Sequence, residues 1–196
     1  MGEFDKFRSV VGENLKEHFN VLEANAEKIN GDIIRAAQLC LDCLSRGRKI
    51  LLAGNGGSAA DCQHIAAELV GRFVHDRRAL RAIALTTDSS ALTCISNDFG
   101  YDQVFSRQVE ALIDPGDVLL IFSTSGNSQN LVNAANTALT QGAAVYGFLG
   151  KGGGDTLKHC TDSLVIESSS TARIQELHIL CGHILCELIE KGMGLA

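Results

Sequence analysis

From Lys49 onward, five short apolar runs ("KILLAG", "RAIALTT", "DVLLIFS", "AVYGFLG" and "DSLVIES") alternate with stretches of helical pattern. That alternation leaves few folds open. Strands that are apolar throughout, not at every second residue, are buried on both faces, and strands separated by helix-length segments pair in parallel. Helices are expected over 59–73, about 89–112, about 130–141, briefly near Thr156, and along the closing "STARIQELHILCGHILCELIEKGM". Before Lys49 the chain reads as two helical segments, "FRSVVGENLKEHFNVLEANAEKI" and "GDIIRAAQLCLDCLSRG", the second ended by Gly47 as a C-cap. No linker, repeat or low-complexity tract interrupts the pattern, and Pro115 is the one proline. The expectation is a single domain over 1–196. It is a doubly wound α/β three-layer sandwich with a five-stranded parallel sheet over 49–196 and an N-terminal helical hairpin over 1–48.

Composition narrows the function. A chain of 196 residues, 45% hydrophobic and 20% charged, can bury one sizeable core. The net charge of −6 and the lack of a Lys/Arg block argue against nucleic acid as a ligand, because phosphate-backbone binding needs a basic footprint. A small anion stays open, since a nest of backbone N–H groups needs no net positive charge. The seven cysteines follow no disulfide framework of a small secreted domain. Cys40 and Cys43 form a C-x-x-C, but they fall near the apolar face of an amphipathic helix and read as buried thiols. "MGEFDKFRSV" has neither a leader's apolar region nor an N-myristoylation pattern, and no apolar run reaches the ~18 residues a membrane span needs. A reducing cytoplasm is the expected compartment.

Four constellations carry candidate chemistry. "GNGGSAAD" follows the first strand directly. Asn55, Gly56 and Gly57 allow tight backbone geometry, Ser58 stands where an N-cap belongs, and the helix start favours an anion. The loop is neither G-x-G-x-x-G nor a Walker loop, and a plain strand-to-helix turn would look the same. "STSGNSQN" follows the third strand and crowds Ser123, Thr124, Ser125 and Ser128 into one loop that opens a helix. One cap needs one hydroxyl; four can wrap a phosphate monoester. His64 and Glu68 are spaced i, i+4 on one helical face, where they can share a divalent metal or simply hydrogen-bond to each other. The closing helix is apolar yet carries Gln175, Glu176, His178 and His183. Gln175 and His183 are eight residues apart, ~12 Å along and ~80° around a regular helix. Ligation of one metal by both requires side chains that stretch toward each other, or helices from two chains.

"GNGGSAAD..HIAAEL..RF", "SNDFGYDQVFSRQVEAL", "GDVLLIFSTSGNSQN" and "RIQELHILCGHILCELIE", in this order, resemble the sedoheptulose 7-phosphate isomerases (phosphoheptose isomerases) of the sugar isomerase, or SIS, domain family. The similarity spans nearly the whole chain and is least distinctive in the N-terminal helices. It implies one zinc ion per subunit on His64, Glu68, Gln175 and His183, with Glu68 and His183 as the acid–base pair. It implies substrate contacts from Asn55, Gly56, Gly57, Glu68, Asn97, Asp98, Ser123, Thr124, Ser125, Ser128 and Gln175. The implied reaction converts sedoheptulose 7-phosphate, a phosphorylated seven-carbon sugar, to D-glycero-D-manno-heptose 7-phosphate through an enediol. It is the first step toward activated heptose for lipopolysaccharide or related glycans. The implied assembly is a homotetramer with active sites between subunits. Two alternatives stand beside it. Non-catalytic SIS-domain relatives bind the replication initiator protein but lack the acid–base pair that this chain keeps. Other SIS enzymes isomerise shorter sugar phosphates or cleave sugar ethers.

Overall fold

The five apolar runs are five parallel strands: β1 (Ile50–Gly54), β2 (Ala82–Ala84), β3 (Val118–Ser123), β4 (Ala144–Gly150) and β5 (Asp162–Ile166). They lie in the order β2-β1-β3-β4-β5 in a computed structural model that describes residues 3–195. Met1 and Gly2, read above for leader and lipidation signals, fall outside those residues. Every residue of β1 and β3 is buried. Successive side chains enter opposite layers, as a strand period of two requires. Ile50, Leu52, Val118, Leu120 and Phe122 pack against α1 (Glu3–Ser45), α2 (Gly57–Val70) and α6 (Thr171–Gly192). Leu51, Ala53, Leu119 and Ile121 pack against α4 (Ser106–Leu112) and α5 (Gln129–Thr140). The chain leaves β1 for β2 on one side and returns to β3 on the other, with Gly54 level with Phe122. The crevice at the carboxyl ends of β1 and β3 is therefore the topological switch point, where open α/β sheets hold ligands.

Two helical expectations need correction. The N-terminal hairpin is one continuous helix of 43 residues, α1. Gly31 does not break it, because Ile29, Ile33, Ala36, Ala37 and Cys40 on the same stretch are buried in the core. That burial outweighs the ~1 kcal/mol a helical glycine costs relative to alanine. Its end at Gly47 is as expected, with φ of 71° and an N–H donating to the Leu44 carbonyl at 3.1 Å. The stretch 89–112 is not one helix. Gly100 (φ 88°) ends α3 (Ser89–Phe99), and a 3-10 turn over Tyr101–Gln103 precedes α4. Cys40 and Cys43 are buried free thiols, and burial pushes Cys43 up to about 11. Among the described residues no helix is long and apolar enough to cross a membrane.

Candidate active site

The loops after β1 and β3 meet at the switch point and form a small hollow of about 60 Å³. Its walls are Asn55 and Ser58 from the first loop, Ser123, Thr124, Ser125 and Ser128 from the second, Gln175 from α6, and Phe122 and Leu131 beneath. The hydroxyls are arranged to give protons. Ser123 Oγ accepts from the Gly126 N–H at 3.0 Å and Ser125 Oγ from the Asn127 N–H at 3.2 Å, which leaves both O–H groups free to donate. Among the described residues, the Thr124 and Ser128 hydroxyls have no side-chain hydrogen bond. Ser128, in the wall of the hollow, occupies the N-cap position of α5 without a side-chain cap, and its carbonyl takes the Leu131 N–H at 3.0 Å. The α2 start differs from expectation. Gly56 (φ 57°), not Ser58, holds the N-cap position, and Ser58 is buried inside the first turn as part of the wall. Gly57 is glycine for a visible reason: an added Cβ would stand 2.6 Å from Gln175 Nε2.

Further along α2 and α6 lies a second cluster. His64 Nε2 is 2.8 Å from His183 Nε2 and 3.3 Å from Glu68 Oε1, and one donor atom from each of the three lies within 4.8 Å of the others. The approach of the helices makes this possible. Gly182 admits Ile65 so closely that an added Cβ would sit 2.6 Å from its Cδ1, which brings the next residue, His183, onto α2. Two imidazole nitrogens facing one point, with a carboxylate oxygen beside them, suit a divalent metal. All three come from one chain; Gln175, whose separation from His183 raised the two-chain arrangement, lies against Gly57 in the hollow instead. Phe73 stacks on His183 with centroids 5.6 Å apart. Its backbone N–H donates to Glu190 Oε1 at 3.0 Å, and Arg77 Nε donates to the same oxygen at 2.9 Å. Burial would push the Glu190 carboxyl up, but the N–H groups of Phe73, Val74 and His75 and the Arg77 guanidinium hold it below the usual range.

Residues 15–150 match the SIS domain family model. The chain is 50% identical over 182 residues to phosphoheptose isomerase of a Nitratiruptor species, covering 93% of this chain and 97% of that protein. It is 52% identical over 173 residues to phosphoheptose isomerase of Geobacter sulfurreducens, covering 88% and 92%. The chain belongs to the phosphoheptose isomerase family. The fold agrees: the structure of phosphoheptose isomerase from Neisseria gonorrhoeae superposes with a TM-score of 0.90 at 41% identity, covering 94% of this chain and 99% of that one.

Of the positions that the phosphoheptose isomerase resemblance marks, the fold gathers two groups. Asn55, Ser123, Thr124, Ser125, Ser128 and Gln175 line the hollow, with Gly57 against Gln175, and His64, Glu68 and His183 form the donor cluster. Asn97 and Asp98 belong to neither group; they are exposed near the end of α3, where Asn97 Nδ2 donates to Asp98 Oδ1 at 2.7 Å. Several neighbours are not evident from the sequence. Phe73, Arg77 and Glu190 meet only through tertiary packing. Asp61, one turn before His64, has a buried Oδ2 without a partner among the described residues, and burial raises its carboxyl.

Proposed function

We propose that the chain isomerises sedoheptulose 7-phosphate to D-glycero-D-manno-heptose 7-phosphate, with Glu68 and His183 as the acid–base pair. One observation carries the reading: the imidazole–carboxylate cluster and the hydroxyl-lined hollow are built on the same two helices, α2 and α6. From Ser58 to His64 the helix rises ~9 Å, a span on the scale of a sugar phosphate held at both ends. The hydroxyls of Ser123, Thr124, Ser125 and Ser128, with the first-turn N–H groups of α5, receive the phosphate. Asn55, Gly56, Gly57 and Gln175 flank the carbon chain. Glu68 removes a proton from C1, the C–H electron pair becomes the C1=C2 bond, and the C2 carbonyl pair passes to O2 to give the enediol. His183 shuttles the proton between the two oxygens, and Glu68 returns a proton to C2.

His64, Glu68 and His183, joined by Gln175 as the family resemblance implies, would hold one zinc ion per subunit, with Glu68 and His183 acting on the sugar through the carboxylate oxygen and the ring nitrogen that the ion leaves free. When bound, such an ion polarises a carbonyl and stabilises the negative charge of an enediolate as a Lewis acid. Elemental analysis of protein purified without chelator is expected to give about one zinc per chain. His64→Ala should lower that content sharply, and an unchanged content would place the metal elsewhere.

A homotetramer with sites between subunits is favoured by two features. Phe4, Phe7, Val11, Leu15 and Phe19 are all exposed on the N-terminal half of α1, and Asn97 and Asp98, outside their own chain's hollow, are free to reach a neighbour's. A biosynthetic role in the cytoplasm, supplying activated heptose for lipopolysaccharide or related glycans, follows from the substrate. The replication-initiator regulator reading is not favoured, because Glu68 and His183 are both present and converge. Incubation with sedoheptulose 7-phosphate in deuterated water, followed by NMR, is the test. The expected result is an aldose carrying deuterium at C2. No aldose from active-site-intact protein would overturn the assignment.

A further inference from the structure

Asn55 and Asn130 form a reciprocal amide pair that joins the two loops. Asn55 Nδ2 donates to Asn130 Oδ1 at 3.0 Å, and Asn130 Nδ2 donates back to Asn55 Oδ1 at 2.9 Å. Asn130 is 2% exposed, inside the first turn of α5. A third group joins from the 3-10 turn after α3: the Tyr101 hydroxyl donates to the same Asn55 Oδ1 at 2.9 Å, although 57% of Tyr101 is exposed. An amide oxygen has two lone pairs, and here both are taken. One N–H of Asn55 is also taken. The polar valence left on this side chain, in the wall of the hollow, is a single N–H donor.

We propose that Asn130 and Tyr101 are positioning residues that fix Asn55 as a hydrogen-bond donor to an oxygen of the bound sugar phosphate. The proposal rests on the sugar-phosphate isomerase reading given above. An asparagine without these partners can rotate its amide and offer either end. With them, presentation of the oxygen would break all three hydrogen bonds of the Asn55 amide, so the site meets a substrate oxygen with a preset donor and little reorganisation. Tyr101 acts through Asn55 and makes no claim on the substrate itself. Because its bond is made at an exposed position, Tyr101→Phe removes one oxygen from the molecule without opening a cavity.

The test is a double-mutant cycle of Tyr101→Phe and Asn55→Ala, read by calorimetric affinity for sedoheptulose 7-phosphate and by kcat and KM. Loss of one neutral hydrogen bond predicts about three- to tenfold weaker binding in Tyr101→Phe. The rise is expected in KM, with kcat within about twofold and an unchanged melting temperature. In the Asn55→Ala background the same substitution is expected to change nothing. Equal effects of Tyr101→Phe in both backgrounds, or no effect on the wild-type affinity, would overturn the proposal. Asn130→Ala should mimic Asn55→Ala in affinity; if it is too unstable to purify, the Tyr101 cycle alone decides. Wild-type protein that binds the sugar phosphate without turnover would sink the isomerase reading, while the binding cycle still tests the coupling.

Discussion

At position 57 the difference between hydrogen and methyl decides where Gln175 can stand. An alanine Cβ there would approach Gln175 Nε2 to 2.6 Å, and the flexible end of the glutamine is what must move. Gly57→Ala is therefore expected to keep its melting temperature within a few degrees while KM for the sugar phosphate rises about tenfold or more. A normal KM would mean that Gln175 does not face the substrate. Single residues of the hollow are largely legible in the sequence, because four hydroxyls in one loop exceed what helix capping uses. Ser58 is the exception, since the cap position depends on the backbone turn at Gly56, and that turn shows only in coordinates. Asn130, Tyr101 and Asp61 give no signal. An asparagine in a first helical turn or a tyrosine after a glycine is ordinary until another loop arrives beside it.

Among elements, the loop between α2 and β2 is held by charge. Arg77 and Glu190 side chains are 2% and 1% exposed, and Glu190 also takes the N–H groups of Phe73 and Val74. Glu190→Gln would leave a buried guanidinium uncompensated, which costs about 3 kcal/mol. The denaturation midpoint in urea should fall with an unchanged slope, and kcat should drop as Phe73 loosens from His183. A midpoint equal to wild type would show the pair to be dispensable. The exposed stripe on α1 has the opposite character. Phe7→Asp with Val11→Asp is expected to leave the fold intact but to convert the proposed tetramer to smaller species in light scattering. Strands and most helices are legible from periodicity. The failures, a hairpin that is one helix and a helix split at Gly100, share a cause. Glycine marks a possible break, and tertiary burial decides whether the chain uses it: Gly31 lies among residues buried against the core, whereas α3 has no buried residue.

For the whole molecule, the sandwich holds a histidine deep in its core. His178 is fully buried, edge-on to Phe122 and Phe148, with Nε2 3.1 Å from the Leu149 carbonyl and Nδ1 unpartnered among the described residues. Burial, only partly opposed by that carbonyl, pulls its pKa down from 6.5 to about 4. Between those values the unfolded chain binds the proton and the folded one does not. The contribution to stability is thus complete above pH 6.5 and is lost as pH falls toward 4, by about 1.4 kcal/mol per pH unit. His178→Leu should flatten that part of the pH–stability profile, and identical profiles would refute the assignment. At this scale the alternation of apolar runs is enough to place the crevice between β1 and β3. Which side chains reach it depends on how closely α6 approaches α2, a matter of Gly182 and Ile65 that periodicity does not encode. The most direct measurement of the central claim is turnover of sedoheptulose 7-phosphate by Glu68→Gln and His183→Gln beside the wild type. Loss of at least about a hundredfold in kcat, with folding and melting temperature retained, is the expected result; near-normal turnover by either variant would contradict it.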